Sequence, residues 1–206
     1  MIDQSRRIVV ASVLSLPLLT VSALHSPVLA DQASEGLICS LSKPSFGFPH
    51  ETKPGKAHEE ARLAVSWIMD VVGLSPNFTV RQATFEQKVG AYAAIRKGER
   101  RIVYDAELLT WIEGSPNWRE MGIMAHEVGH HLAGHTAGVR MAPHANELEA
   151  DRFVGFVLGR LGATLEQATR WTKILSENGS KSHPPRRQRL QTATDGWRHG
   201  RDPSHQ

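Results

Sequence analysis

The stretch Trp118–Gly138, WREMGIMAHEVGHHLAGHTAG, contains the pentapeptide that decides how the rest of the chain is interpreted. An α-helix has 3.6 residues per turn, so side chains four residues apart lie on one face. His126 and His130 can therefore offer two imidazole nitrogens to one zinc ion. Glu127 would stand beside that ion without binding it, where a carboxylate can act as a general base.

A catalytic zinc ion usually has three protein ligands and one open position, so a third ligand is expected downstream. A longer zinc-peptidase pattern needs glycine at 133 and histidine at 136, where this chain has Ala133 and Thr136. His135 lies nine residues beyond His126, half a turn out of phase if the helix continues, and is predicted to face away from the ion. His131 is interpreted as an outer or surface residue.

Glu147 is the better third ligand. Residues 144–161 are predicted to form a helix, one stripe of which contains Glu147, Ala150, Asp151, Val154 and Leu158. A carboxylate in an apolar stripe needs a positive partner, and a zinc ion is one such partner. Asp151, one turn further on, could accept the second ring N–H of a ligand histidine. The alternative is that the two acids form salt bridges with Arg140 or Arg152.

Three motifs together resemble those of the HtpX-like and CAAX-prenyl-protease-like zinc metallopeptidases, a gluzincin family. They are H-E-V-G-H at 126–130, E-L-E-A-D-R-F at 147–153, and Ser182-His183-Pro184-Pro185 followed by Arg189-Leu190. The resemblance covers residues 56–197. It implies one bound zinc ion, with the ligands His126, His130 and Glu147, the catalytic base Glu127 and the outer partner Asp151.

The same resemblance has a limit, because the membrane-embedded members carry several apolar spans and this chain has none beyond its leader. It is therefore similar to the soluble, secreted branch of the family. The role of His183 stays open: it could approach the open zinc position, donate to the oxyanion of the substrate, or fix its loop by a hydrogen bond.

The fold class that we expect is α+β: a mainly helical, zincin-like metallopeptidase domain with a small antiparallel β-sheet beside the active-site helix. An amphipathic helix begins at Lys56 and ends at Gly73. A strand at 78–80 and a hairpin follow, the hairpin with strands at 89–95 and 101–104 and a turn at Lys97-Gly98. Either hairpin strand, at 91–94 or at 102–104, could be the sheet edge that pairs with an extended substrate, and the alternative is that both are core strands. Further helices are predicted at 105–112, 165–175 and 188–193. Three arginines, Arg186, Arg187 and Arg189, are expected to start the last helix, and the alternative for them is a solvated basic face.

The first thirty residues are interpreted as a bacterial secretory signal. Two arginines, Arg6 and Arg7, precede an apolar run from Ile8 to Leu24, and small residues stand before the expected cleavage after Ala30. The arginine pair also resembles a twin-arginine leader. The alternative is an uncleaved anchor, which a short run broken by a proline does not favour. The expected location is periplasmic or secreted, with no stable membrane span after cleavage.

The remaining boundaries are an extended arm or loop at 31–55, a metallopeptidase domain at 56–197 and a flexible tail at 198–206. The chain of 206 residues is 40% hydrophobic and 22% charged, which fits one globular domain. Its only cysteine, Cys39, excludes an intramolecular disulfide, so a metal site must be built from histidine and carboxylate. The net charge of +3, about +2 without the leader, indicates no nucleic-acid partner.

The function that these observations predict is a zinc endopeptidase that hydrolyses polypeptide substrates, with a role in envelope protein quality control. The alternative is a non-catalytic zinc-binding holdase or adaptor, whose fourth metal position would be closed, for example by His183. A third reading is a latent protease in which the 31–55 arm blocks the cleft.

Overall fold

The chain forms an α+β fold, as the sequence predicts. The computed structural model describes residues 39–40, 50–53, 56–84, 90–106, 117–137, 142–202 and 204, so the expected leader at 1–30 lies outside the described residues. Within the described residues the helices are α1 (Lys56–Val72), α2 (Trp118–Leu132), α3 (Pro143–Arg160), α4 (Leu165–Thr169) and α5 (Arg186–Arg201). The strands are β1 (Cys39–Ser40), β2 (His50–Glu51), β3 (Thr79–Thr84), β4 (Ala91–Arg96) and β5 (Glu99–Asp105).

The helix α1 forms because its apolar residues recur at helical spacing. Ala61, Ala64, Val65 and Ile68 are all buried in the main core, which gives the helix one apolar face. Gly73 follows the helix with a φ of 67°, a left-handed conformation that ends helices at low cost for glycine. Both ends were predicted from the sequence.

The sheet is mixed, so the prediction of an antiparallel sheet is only partly correct. Its strand order is β1-β4-β5-β3-β2. The strands β4 and β5 form the predicted antiparallel hairpin, and the positive φ angles of Lys97 and Gly98 suit its two-residue turn. The strand β3, however, pairs with β5 in parallel. Alternating apolar residues identify a strand and its buried face, but they carry no information about the direction of its neighbour.

Two short strands lie at the edges of this sheet, in the region interpreted as an extended arm. The strand β1 pairs with β4, with Cys39 opposite Ala93, and β2 pairs with β3, with His50 opposite Thr84. The described part of 31–55 thus contributes main chain to the sheet. The helix predicted at 105–112 falls mostly outside the described residues.

The helices α3 and α5 pack backbone against backbone, which glycines allow. A Cβ atom on Gly155 of α3 would lie 1.9 Å from the carbonyl oxygen of Ala193, and one on Gly196 of α5 would lie 2.0 Å from that of Arg152. The helix α5 continues to Arg201, beyond the predicted end at 193. The tail predicted from residue 198 is therefore helical as far as Arg201, because this close contact extends along the helix.

The helix predicted at 165–175 is divided into two parts. Thr164 caps α4 as expected, since its hydroxyl accepts from the N–H of Gln167 while its own N–H donates to the Gln167 side chain. A 3₁₀ segment, Arg170–Ile174, then replaces the α-helix. It carries Trp171, which is buried against Gly122 of α2.

Within the described ranges, no helix combines the length and apolar character that crossing a bilayer requires.

We predict that Gly155→Ala lowers the free energy of unfolding by about 1–3 kcal/mol, because the new methyl group meets main chain rather than a movable side chain. Urea denaturation of the purified protein measures this change. The control is Gln191→Ala on the exposed face of α5, for which we expect a change within about 0.5 kcal/mol. A fully stable Gly155→Ala variant would contradict the close packing of α3 on α5.

Candidate metal centre

Two histidines of α2 point their Nε2 atoms at each other from successive turns of a buried helix. His126 and His130 are 3% and 0% exposed, and their Nε2 atoms are 3.1 Å apart. The four-residue spacing produces this approach, as the sequence predicts.

The third group, Glu147, comes from α3. Its Oε2 lies 3.4 Å from Nε2 of His126, and its Oε1 lies 3.4 Å from Nε2 of His130. One ligand atom from each of the three residues lies within 4.8 Å of the other two. The structure therefore brings together the three side chains that the sequence proposes as metal ligands.

These distances fit a small tetrahedral cation. Ligand atoms bound about 2.0–2.1 Å from a tetrahedral zinc ion lie about 3.3 Å from one another. The two histidine nitrogens are 3.1 Å apart, and each lies 3.4 Å from a different oxygen of Glu147. The charges fit as well. Among the described residues of the cluster, three buried carboxylates, Glu127, Glu147 and Asp151, accompany one buried guanidinium, that of Arg189. With these groups ionised and His126 neutral, as a metal ligand must be, two negative charges remain, which a divalent cation would neutralise.

Asp151 contacts Nδ1 of His126, the ring nitrogen that does not face His130. Its Oδ1 lies 3.0 Å from Nδ1 of His126, the arrangement expected for an outer partner of a metal ligand. Arg189 of α5 donates twice to the same carboxylate, over 2.8 Å to Oδ2 and 2.7 Å to Oδ1. The salt-bridge partner of Asp151 is therefore Arg189; Arg152 is exposed on the same helix and Arg140 lies outside the described residues.

The position of Arg189 excludes, for this residue, the alternative of a solvated basic face. This residue is 1% exposed, its Nη2 is 3.3 Å from Oε2 of Glu147, and its guanidinium lies 5.2 Å from the centre of the Trp171 ring. In the sequence only the resemblance to the family motif distinguished it, because three arginines among four residues are typical of a solvated surface.

The electrostatics of the cluster centre on His126. Burial disfavours its charged form, but its hydrogen bonds with Asp151 and Glu147 outweigh burial and raise its pKa to about 9. Burial lowers the pKa of His130 to about 4. Burial acts to raise the pKa of Glu147, but hydrogen bonds with the two histidines outweigh it and hold this pKa well below the ordinary value. A histidine binds a metal only when it is neutral, so a bound cation would replace the proton on His126.

Glu127 lies beside the cluster. It is 1% exposed, and burial raises its pKa to about 8. Its carboxylate accepts the main-chain N–H of Ala93 in β4, while its Oε2 has no hydrogen-bond partner within the described part of the chain. A buried acid with an unpaired oxygen is unusual in a folded protein and is consistent with a group that acts on a ligand.

His183 approaches the same cluster from the loop before α5. Its Nε2 is 3.7 Å from Oε2 of Glu147, and its Nδ1 is 2.9 Å from the hydroxyl of Ser182. Burial lowers its pKa, which favours the neutral ring. This position is compatible with each of the three roles considered from the sequence.

Two further histidines differ from their predicted places. His131 is buried, with Nε2 2.9 Å from the carbonyl oxygen of Arg101 and Nδ1 3.0 Å from the hydroxyl of Thr136, so it ties α2 to β5. His135 is also buried and lies against His130, with 2.9 Å between their Nδ1 atoms. It does not face away, because α2 ends at Leu132 and the chain reverses at Gly134, whose φ is 77°.

No family model matches this chain, and searches of curated proteins and of solved structures found no match either. The assignment of the site therefore depends on its own geometry and charge.

We predict that His130→Ala and Glu147→Gln each reduce the zinc content of the purified protein far below one ion per chain. Each change removes one of three converging ligands and leaves the others too few to hold the ion. Atomic absorption after dialysis measures the content. The matched control is His199→Ala, which removes an exposed histidine of α5 and should leave the content unchanged. Equal zinc content in all the variants would mean that the ion binds elsewhere or not at all.

Proposed function

We propose that this chain is an exported zinc-dependent endopeptidase. The observation that carries the proposal is the convergence of His126, His130 and Glu147 next to a buried acid, Glu127, whose Oε2 has no hydrogen-bond partner among the described residues. Three protein ligands plus a neighbouring base are the parts that metal-assisted peptide hydrolysis requires. The interpretation of residues 1–30 as a secretory signal supports export.

The chain's residues have distinct tasks in this proposal. His126, His130 and Glu147 hold the ion, which when bound supplies Lewis acidity that polarises a peptide carbonyl and makes water more acidic. Glu127 takes a proton from the attacking water and returns it to the departing amine nitrogen. Asp151 and Arg189 keep the ring of His126 in one orientation and one tautomer.

The outer edge of β4 is the place where we expect an extended polypeptide to bind. The N–H of Asp105 donates to the carbonyl of Gly90 over 2.8 Å, so even-numbered residues of β4 pair with β5. Odd-numbered residues, including Ala93, therefore turn their main-chain groups to the opposite edge. Because the N–H of Ala93 contacts Glu127, a substrate paired along this edge would pass directly beside the base.

The chain's own strand β1 lies along this edge, which favours the latent form of the enzyme. Cys39 is opposite Ala93 and Ser40 is opposite Tyr92, both in antiparallel pairing. A two-residue strand makes few main-chain hydrogen bonds, so a substrate could displace it. We include in the proposal that β1 competes with substrate for β4.

The alternative, a holdase or adaptor that binds zinc without cutting, has one observation in its favour. His183 is close enough to Glu147 to approach the ion and close its fourth position. The two functions differ in whether an unfolded, casein-like protein is cleaved by the zinc-loaded chain and spared after chelation.

We predict that Glu127→Gln keeps its zinc but loses at least about 100-fold in kcat, since the amide cannot accept the proton. Cleavage of a fluorogenic casein, together with zinc content, measures both quantities. Glu166→Gln, which makes the same change at an exposed position of α4, should retain full activity. Full turnover by Glu127→Gln would exclude Glu127 as the base, and an inactive but zinc-loaded parent protein would favour the holdase.

We also predict that removal of residues 32–40 raises kcat/KM for an unstructured peptide by at least about fivefold, mainly through a lower KM, because the competing strand is gone. Steady-state kinetics on the mature chain provides the measurement. The double variant Cys39→Ala, Ser40→Ala keeps the main chain of β1 and should behave as the parent does. An unchanged KM after the deletion would show that β1 does not compete with substrate.

A further inference from the structure

The second ligand histidine is held differently from the first. His126 contacts a buried carboxylate directly, whereas the Nδ1 of His130 lies 2.9 Å from Nδ1 of a second imidazole, that of His135. The other nitrogen of His135, Nε2, is 3.1 Å from Oε2 of Glu149. Glu149 is half exposed, so this row of groups connects the cluster with the protein surface.

The contact between the two imidazoles requires one proton. A nitrogen–nitrogen distance of 2.9 Å is a hydrogen bond, in which one ring donates and the other accepts. The Nε2 of His130 faces His126 and Glu147 and is the atom available to a cation. A neutral histidine bound to a cation through Nε2 carries its proton on Nδ1, so His130 must be the donor.

The remaining tautomers then follow. His135 accepts at Nδ1 and therefore carries its own proton on Nε2, which it donates to the carboxylate of Glu149. One arrangement of protons satisfies all three groups, and it is the arrangement that presents the lone pair of His130 Nε2 to the cluster.

We propose that His135 is a positioning residue: its neutral imidazole, oriented by Glu149, accepts the Nδ1–H of His130 and so fixes the tautomer and ring plane of that metal ligand. This inference rests on the proposed metal site. It assigns to His135 a role that neither a ligand nor a surface residue would have.

The backbone between the two histidines makes this contact possible. The last turn of α2 ends at Leu132, and Gly134 adopts a φ of 77°, which L-residues with side chains rarely adopt. The 3₁₀ segment His135–Ala137 then returns the chain toward α2. The ring of His135 is 1% exposed, so the loss of its acceptor would leave a buried N–H of His130 unpaired.

The experiment measures metal affinity, not activity. Zinc dissociation constants are obtained by competition with a chromophoric chelator for the parent protein, His135→Leu and His135→Asn. The asparagine Oδ1 can stand where Nδ1 stood and accept the same proton, whereas leucine cannot. We expect leucine to weaken zinc binding about 10–100-fold and asparagine to restore most of the affinity. The visible spectrum of the cobalt-loaded protein should change in the leucine variant and return in the asparagine variant.

A second measurement does not depend on the folding of any variant. In the zinc-loaded parent protein labelled with ¹⁵N, a scalar coupling between Nδ1 of His130 and Nδ1 of His135 should report the hydrogen bond directly. Absence of that coupling, or equal losses for leucine and asparagine, would overturn the role of His135 while leaving the metal site intact. A parent protein that binds neither zinc nor cobalt would overturn both proposals. His144→Asn, at a histidine outside the cluster, is the matched control.

Discussion

The structure of the site depends on the neutralisation of two carboxylates that α3 buries one turn apart. Glu147 and Asp151 are 3% and 0% exposed, a burial that is costly for ionised groups without a compensating charge. The guanidinium of Arg189 supplies part of that charge by two hydrogen bonds to Asp151 and a contact with Glu147. The two histidines of α2 supply the remaining contacts, and these contacts place their nitrogens around a common point.

The packing of α5 on α3 brings the two partners of this ion pair together. Arg189 reaches Asp151 because α5 lies directly on the backbone of α3, an approach that Gly155 and Gly196 permit. The indole of Trp171 lies near both the guanidinium and the ring of His126, so an aromatic ring covers one side of the polar cluster. Burial keeps water from these groups and lowers the local dielectric, which strengthens their interactions.

Much of the centre could be predicted because helical periodicity is local. The spacing of His126 and His130, and the common stripe of Glu147 and Asp151, follow from 3.6 residues per turn alone. His135 could not be placed in this way, because α2 ends at Leu132 and Gly134 adopts a left-handed conformation, so helical periodicity no longer applies at residue 135. Arg189 was equally inaccessible to local reasoning, since only the tertiary contact of α5 with α3 decides whether an arginine is solvated or buried.

The sheet likewise has a part that could be predicted from the sequence and a part that could not. The Lys97-Gly98 turn could be predicted from the sequence, because a two-residue hairpin turn needs two adjacent positive φ angles and glycine adopts one of them readily. The parallel pairing of β3 with β5 and the addition of β1 to β4 depend on long-range choices that the strand pattern does not encode. The prediction that a hairpin strand forms a free sheet edge is therefore not confirmed, because β4 lies between β1 and β5 and β5 lies between β4 and β3.

The placement of Arg189 in the final helix also has a consequence for biogenesis. The ribosome makes α2 and α3 before α5, so a nascent chain that has reached α3 already contains both acids but not their cationic partner. The complete ion pair can therefore form only after synthesis has reached Arg189, so the assembly of this cluster depends on a late segment of the chain.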